Sequence, residues 1–92
     1  MDYEFEFDPD KSKANKAKHG IDFVEAQQLW NDTNRAVGPA IGKVEERWAL
    51  VAVIQDKHWT AIFTWRGEVI RLISVRRARE YEVMQYEKRN HH

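Results

Sequence analysis

The sequence predicts a small α+β domain: an antiparallel sheet of about four strands, with an N-terminal strand, a two-helix hairpin and a C-terminal helix. Three observations carry this prediction. Residues 48–75 hold three β-rich runs separated only by short turns, and strands so joined must pair antiparallel. A helix with both ends marked, Asp8-Pro9 at its start and Gly20 at its stop, follows the first strand. The chain has 92 residues, 42% hydrophobic and 33% charged, enough for one folded domain and too few for two. The single domain is placed at 1–90, with His91 and His92 read as a tag remnant and set aside.

Tyr3, Phe5 and Phe7 alternate with Glu4 and Glu6, which predicts a strand with aromatics inward and acids outward in solvent. Outward acids also discourage edge pairing with another chain. The helix after Asp8 runs to Lys18 or His19, with Ala14 and Ala17 as its packing points. Lys11, Asn15, Lys18 and His19 share one of its faces. Asp22 and Glu25 form a capping box that opens a second helix, whose inner face carries Phe23, Ala26, Gln27 and Trp30. Residues 35–44 read as a short strand or hairpin arm plus a loop, broken by Gly38-Pro39 and Gly42. Residues 48–54 are apolar on both parities, as in a strand buried on both faces. Residues 55–58 form a turn, with His58 as plain surface, and 59–65 alternate again. Gly67 supplies a positive φ to the next turn, 69–75 form the last strand, and 76–89 suit a helix. The helices at the two ends of the sequence are expected to cover one sheet face.

The formal charge is zero, with 15 basic and 15 acidic residues, but the charges are segregated. Asp2, Glu4, Glu6, Asp8 and Asp10 have no base among them; Lys11, Lys13, Lys16 and Lys18 follow with no acid. Residues 66–79 set five arginines against Glu68 alone. Local fields of this kind matter more to a polyanion than the sum. No apolar run approaches the roughly 20 residues of a membrane span, and residues 1–4 lack the basic and apolar regions of a secretory signal, so a cytoplasmic protein is expected. Without cysteine there is neither a disulfide framework nor a thiolate metal site. Zinc spacings, a glycine-rich phosphate loop and a nucleophile elbow are also missing, and neither metal nor cofactor is expected.

Arg71 stands between apolar neighbours in the last strand. It reads either as a structural ion pair, with Glu46 as the candidate partner, or as a phosphate clamp whose planar fork suits phosphate oxygens. Glu46 beside Arg47 reads as a general base with its charge partner or as a surface salt bridge. His19 is an acid or base near a basic cluster, or a donor to the last carbonyls of its helix. Glu82 and Tyr86, four apart, read as packing or helix support. Cleavage of RNA needs little beyond positioned cations and an acid or base, because the ribose 2′-hydroxyl is itself the nucleophile.

The pattern Phe5-x-Phe7-Asp8, Lys11, Asn15, Lys18-His19-Gly20-Ile21-x-Phe23-x-Glu25-Ala26 resembles the N-terminal signature of BrnT toxins. Glu46-Arg47-Trp48 and Ile70-Arg71-x-Ile73-Ser74-x-Arg76-Arg77-Ala78, followed by Glu82 and Tyr86, resemble the rest of that family's pattern. Phe7 stands where the family usually shows Trp. The resemblance implies a RelE-like α+β fold and a metal-independent endoribonuclease toxin of a type II toxin–antitoxin pair. It implies a BrnA-like ribbon-helix-helix antitoxin as partner, RNA as substrate, and operator DNA reached only through the antitoxin. Carried onto this chain, its matching positions are Lys11, Lys18, His19, Glu46, Arg47, Arg71, Ser74, Arg76, Glu82 and Tyr86. Of these, Arg71, Arg76, Glu46, Arg47, His19 and Ser74 are read as catalytic, with Arg71 and Arg76, clustered at the strand–helix junction, expected to hold the scissile phosphate. Lys11, Asn15, Lys18 and Arg77 are read as RNA-binding residues from their place in the basic stretches, and Glu82 and Tyr86 as supporting ones. The alternative is a binding module without strong catalysis, a co-repressor that docks the antitoxin.

Overall fold

A computed structural model describes residues 3–40 and 46–90. The expected break at Gly42 and the pair His91–His92 lie outside the described residues. The elements are β1 (Glu4–Glu6), α1 (Pro9–His19), a 3-10 helix (Glu25–Asn31), β2 (Ala36–Pro39), β3 (Trp48–Ile54), β4 (Lys57–Arg66), β5 (Val69–Arg77) and α2 (Glu80–Asn90). The α+β class is as expected, but the sheet has five strands in the order β1-β5-β4-β3-β2 and is mixed. β1 runs parallel to β5, while β2 to β5 form an antiparallel meander. The meander starts at the far edge and works back until β5 meets β1, a pairing that local turn signals do not announce.

Local signals set most boundaries. Asp8 accepts a hydrogen bond from the Asp10 amide, Pro9 opens α1, and Gly20 closes it at φ 83° with its amide bonded to the Lys16 carbonyl. Asp22 and Glu25 exchange amide-to-carboxylate bonds of 2.7 and 2.9 Å, the reciprocal capping box. The segment it opens is a 3-10 helix, so the expected helical hairpin is an α-helix followed by a tighter one. Gln55 and Asp56 make the β3–β4 turn at positive φ, and Gly67 does the same between β4 and β5.

Packing of α1 differs from the expected pattern. Ala14 and Ala17 are exposed, and Ser12 and Asn15 are buried instead. The Phe23 amide donates to Ser12 Oγ at 2.9 Å. Asn15 donates to the carbonyls of Ile21 and Val75, both at 2.8 Å, and accepts from the Val75 amide at 3.2 Å. β1 pairs with β5 only through Arg71, so the upper edge of β5 is open. Asn15 closes it as a strand residue would, by satisfying both backbone groups of Val75.

The core lies on one sheet face. Leu50, Ala52, Trp59, Ala61, Phe63, Ile70, Leu72 and Val75 pack there against Ile21, Phe23, Ala26, Leu29 and Trp30. Trp30 meets Phe63 edge to face at 5.3 Å. By contrast α2 reaches the opposite face: Glu82 bonds Thr60, which alternates with the core-facing Trp59 and Ala61. The two ends of the chain therefore do not place their helices on one face. The helix also starts later than expected. β5 continues to Arg77, because Thr60 and Trp59 of the longer β4 still offer partners to Arg76 and Arg77.

Candidate functional site

A β-bulge organises the polar face of the sheet. Ile62 pairs with Ser74 and Phe63 with Leu72, which leaves Ile73 as the extra residue of β5. Strict alternation would send Arg71 and Arg76 to opposite faces. With one residue inserted, Arg71 lies opposite Thr64, Ser74 opposite Ile62 and Arg76 opposite Thr60, all on the face away from the core. Four residue steps along β4 separate the two arginine positions, about 13 Å at the usual strand rise.

Around Arg71 the structure gathers a basic cleft of about 260 Å³, lined by Lys11, Arg47, Thr64, Trp65, Arg66, Arg71 and Ile73. Three elements converge: the first turn of α1 brings Lys11, the approach to β3 brings Arg47, and the β4–β5 hairpin brings Arg66 and Arg71. The parallel register pairs Glu6 with Arg71 and puts both side chains on this face. Glu6 Oε2 lies 2.9 Å from Arg71 Nη1 and 3.6 Å from Arg66 Nε. The ion-pair partner of Arg71 is thus Glu6 rather than Glu46. Glu46 is exposed and uses its backbone carbonyl, which accepts from Thr64 Oγ1 at 3.0 Å. The strand of acids is not uniformly solvated either, since Glu6 sits among cations.

Arg76 does a different job. Its Nη1 and Nη2 donate to the two carboxylate oxygens of Glu82 at 2.7 and 3.0 Å. Glu82 also accepts from Thr60 Oγ1 and the Arg79 amide. Burial alone would push the Glu82 carboxyl up, but Arg76, the Arg79 amide and Thr60 together outweigh it and hold it below the ordinary carboxylate value. The pair fastens α2 to β4 and β5, with both Nη atoms of Arg76 engaged. Ser74 is half-buried on the same face, beside the bulge.

Other expected site residues are not brought to the cleft. Asn15 is buried in the clasp on Val75, which corrects its expected place on an RNA-facing stripe. Arg77 lies on the core-facing side, over the Trp59 ring at 5.5 Å. Lys18 and His19 stand at the far end of α1, about 10 Å along the axis from Lys11. Tyr86 is buried and donates to Asp32 Oδ2 at 2.7 Å. Burial first, then Asp32, pushes its hydroxyl upward. His58 is not plain surface: it belongs to β4, pairs with Glu87 at 2.8 Å and lies edge-on to the Tyr86 ring. Among the described residues, no three His, Asp or Glu side chains gather as a metal site.

Two cleft residues escaped the sequence reading as site residues. Arg66 stood in the arginine-rich stretch without a strand register to place it. Glu6 became legible only through the parallel pairing of β1 with β5. A family model described as a ribonuclease toxin, BrnT, of type II toxin–antitoxin system matches residues 7–82. No curated protein matches the chain.

Proposed function

The chain belongs to the BrnT family of ribonuclease toxins of type II toxin–antitoxin systems, and from that membership we propose that the cleft around Arg71 binds the RNA phosphate at which the strand is cut. The observation that supports this site is the convergence of Lys11, Arg47, Arg66 and Arg71 on one cleft. In this reading the protein is an endoribonuclease that needs no metal. The 2′-oxygen attacks the adjacent phosphorus as the bond from phosphorus to O5′ breaks, giving a 2′,3′-cyclic phosphate and a 5′-hydroxyl. Negative charge grows on the non-bridging oxygens, where preorganised cations are most effective. Arg71, only one-third exposed and held by Glu6, is the clamp. Lys11, Arg47 and Arg66 hold that phosphate or its neighbours along the strand.

Arg76 and Glu82 then support the site by fixing α2 rather than by touching RNA. A ribbon-helix-helix antitoxin neutralises the toxin in the cytoplasm by laying an acidic segment over the cleft, and operator DNA is contacted only through that partner. The test is growth on expressing the chain without an antitoxin, with cleavage of a short RNA by the purified protein. Arg71→Ala should lower the cleavage rate roughly 10²–10³-fold, the scale of one lost transition-state contact, and relieve growth arrest. A wild-type chain that neither arrests growth nor cuts RNA sinks the enzyme reading and leaves the co-repressor module.

A further inference from the structure

The cleft gathers cations that suit a phosphate, and a cation offers no lone pair for the proton of a 2′-hydroxyl. The two described internal histidines stand elsewhere: His19 at the far end of α1, and His58 paired with Glu87. On the reading of this cleft as the cleavage site, we propose that the Glu6 carboxylate is the general base of the reaction.

Three observations carry this. Among the described residues, Glu6 is the only one whose carboxylate is ion-paired with the cleft lining, and Glu46 meets that lining through its backbone carbonyl on Thr64. Its contacts with Arg71 and Arg66 both use Oε2, so among the described residues Oε1 accepts no hydrogen bond. Its side chain is 37% exposed, open to a ligand in the cleft. The geometry of Arg71 adds a reason. The guanidinium gives Nη1 to Glu6, and a planar fork with one corner on a carboxylate can still offer its remaining N–H groups to a phosphate. Carboxylate and phosphate are then held on one rigid group, as proton transfer during attack requires.

The step balances without another reagent. Glu6 Oε1 takes the 2′-hydroxyl proton while O2′ bonds to phosphorus. The bond from phosphorus to O5′ breaks, and the departing oxygen takes a proton from water. Glu6 returns its proton to solvent before the next turnover.

A carboxylate that merely holds Arg71 in place makes a different prediction. The experiment compares wild type, Glu6→Gln, Glu6→Asp and Arg71→Ala in single-turnover cleavage of a short RNA. Binding of the same sequence as a 2′-O-methyl strand, which lacks the attacking hydroxyl, is measured in parallel. Glu6→Gln should slow cleavage by roughly 10²–10⁴-fold, the usual share of general-base catalysis, with binding retained. The acid limb of the wild-type rate profile should vanish with it, and Glu6→Asp should recover part of the rate. Unchanged cleavage by Glu6→Gln, or a loss of rate matched by loss of binding, overturns the base assignment. If Arg71→Ala is slow while Glu6→Gln is not, the cleft reading stands and the base alone is wrong. A wild type that cuts no RNA overturns both.

Discussion

At the scale of single residues, Asn15 carries the sharpest lesson. Its amide bonds one backbone amide and two backbone carbonyls inside the protein. Asn15→Ala would leave these groups without partners where water cannot replace them. We expect a loss of about 2 kcal/mol in urea unfolding, within the range for buried groups left unsatisfied. Asn15→Asp should be no better, since it removes both donors and adds a charge. The stripe Lys11–Asn15–Lys18–His19 was legible as one helix face, but its members do three things: Lys11 lines the cleft, Asn15 closes the sheet, and the last two stand by the C-cap. Helical period gives direction around an axis; the strand edge behind the helix decides what each position meets.

At the scale of elements, the joint between α2 and the sheet sets a pH dependence. The folded-state carboxyl of Glu82 lies below its ordinary value, despite burial, because Arg76, the Arg79 amide and Thr60 favour the charged form. Its contribution is therefore fully present above the unfolded carboxylate range of about 4.3 and is lost as pH falls through the lower folded value. Thermal melts should show Glu82→Gln clearly less stable than wild type near neutrality, with the gap closing in acid; a gap constant with pH would contradict the assignment. Capped helices and turns were legible because Asp8, Gly20, Asp22 and Gly67 act locally. The bulge was not. Ile73 is a β-branched residue in a β-rich run, with no glycine to mark an insertion, and without that insertion strict alternation would put Arg71 and Arg76 on opposite faces. The parallel edge strand was hidden for a similar reason, as its partner lies more than sixty residues away.

For the molecule as a whole, a formal charge of zero conceals a sheet with two unlike faces. The core face is apolar and holds the 3-10 helix, α1 lies along the β5 edge, and the other face carries the basic cleft and α2. No residue of α2 belongs to the main buried apolar cluster among the described residues. The helix is fastened by Arg76–Glu82, His58–Glu87, Tyr86–Asp32 and Asn90 to the Asn34 carbonyl, with the buried Tyr86 ring as its apolar contact. Urea acts in proportion to the surface an opening exposes, so detaching α2 should depend on urea only weakly. In native-state hydrogen exchange, α2 amides should open by a shallow, low-energy route, while β4 and β5 amides exchange only with global unfolding. Identical urea slopes for both would show one cooperative unit. A polar joint also carries little heat capacity, so its strength should change little with temperature while the apolar core's changes steeply. The C-terminal helix is in this sense a latch with its own thermodynamics, able to lift while the sheet beneath it stays whole.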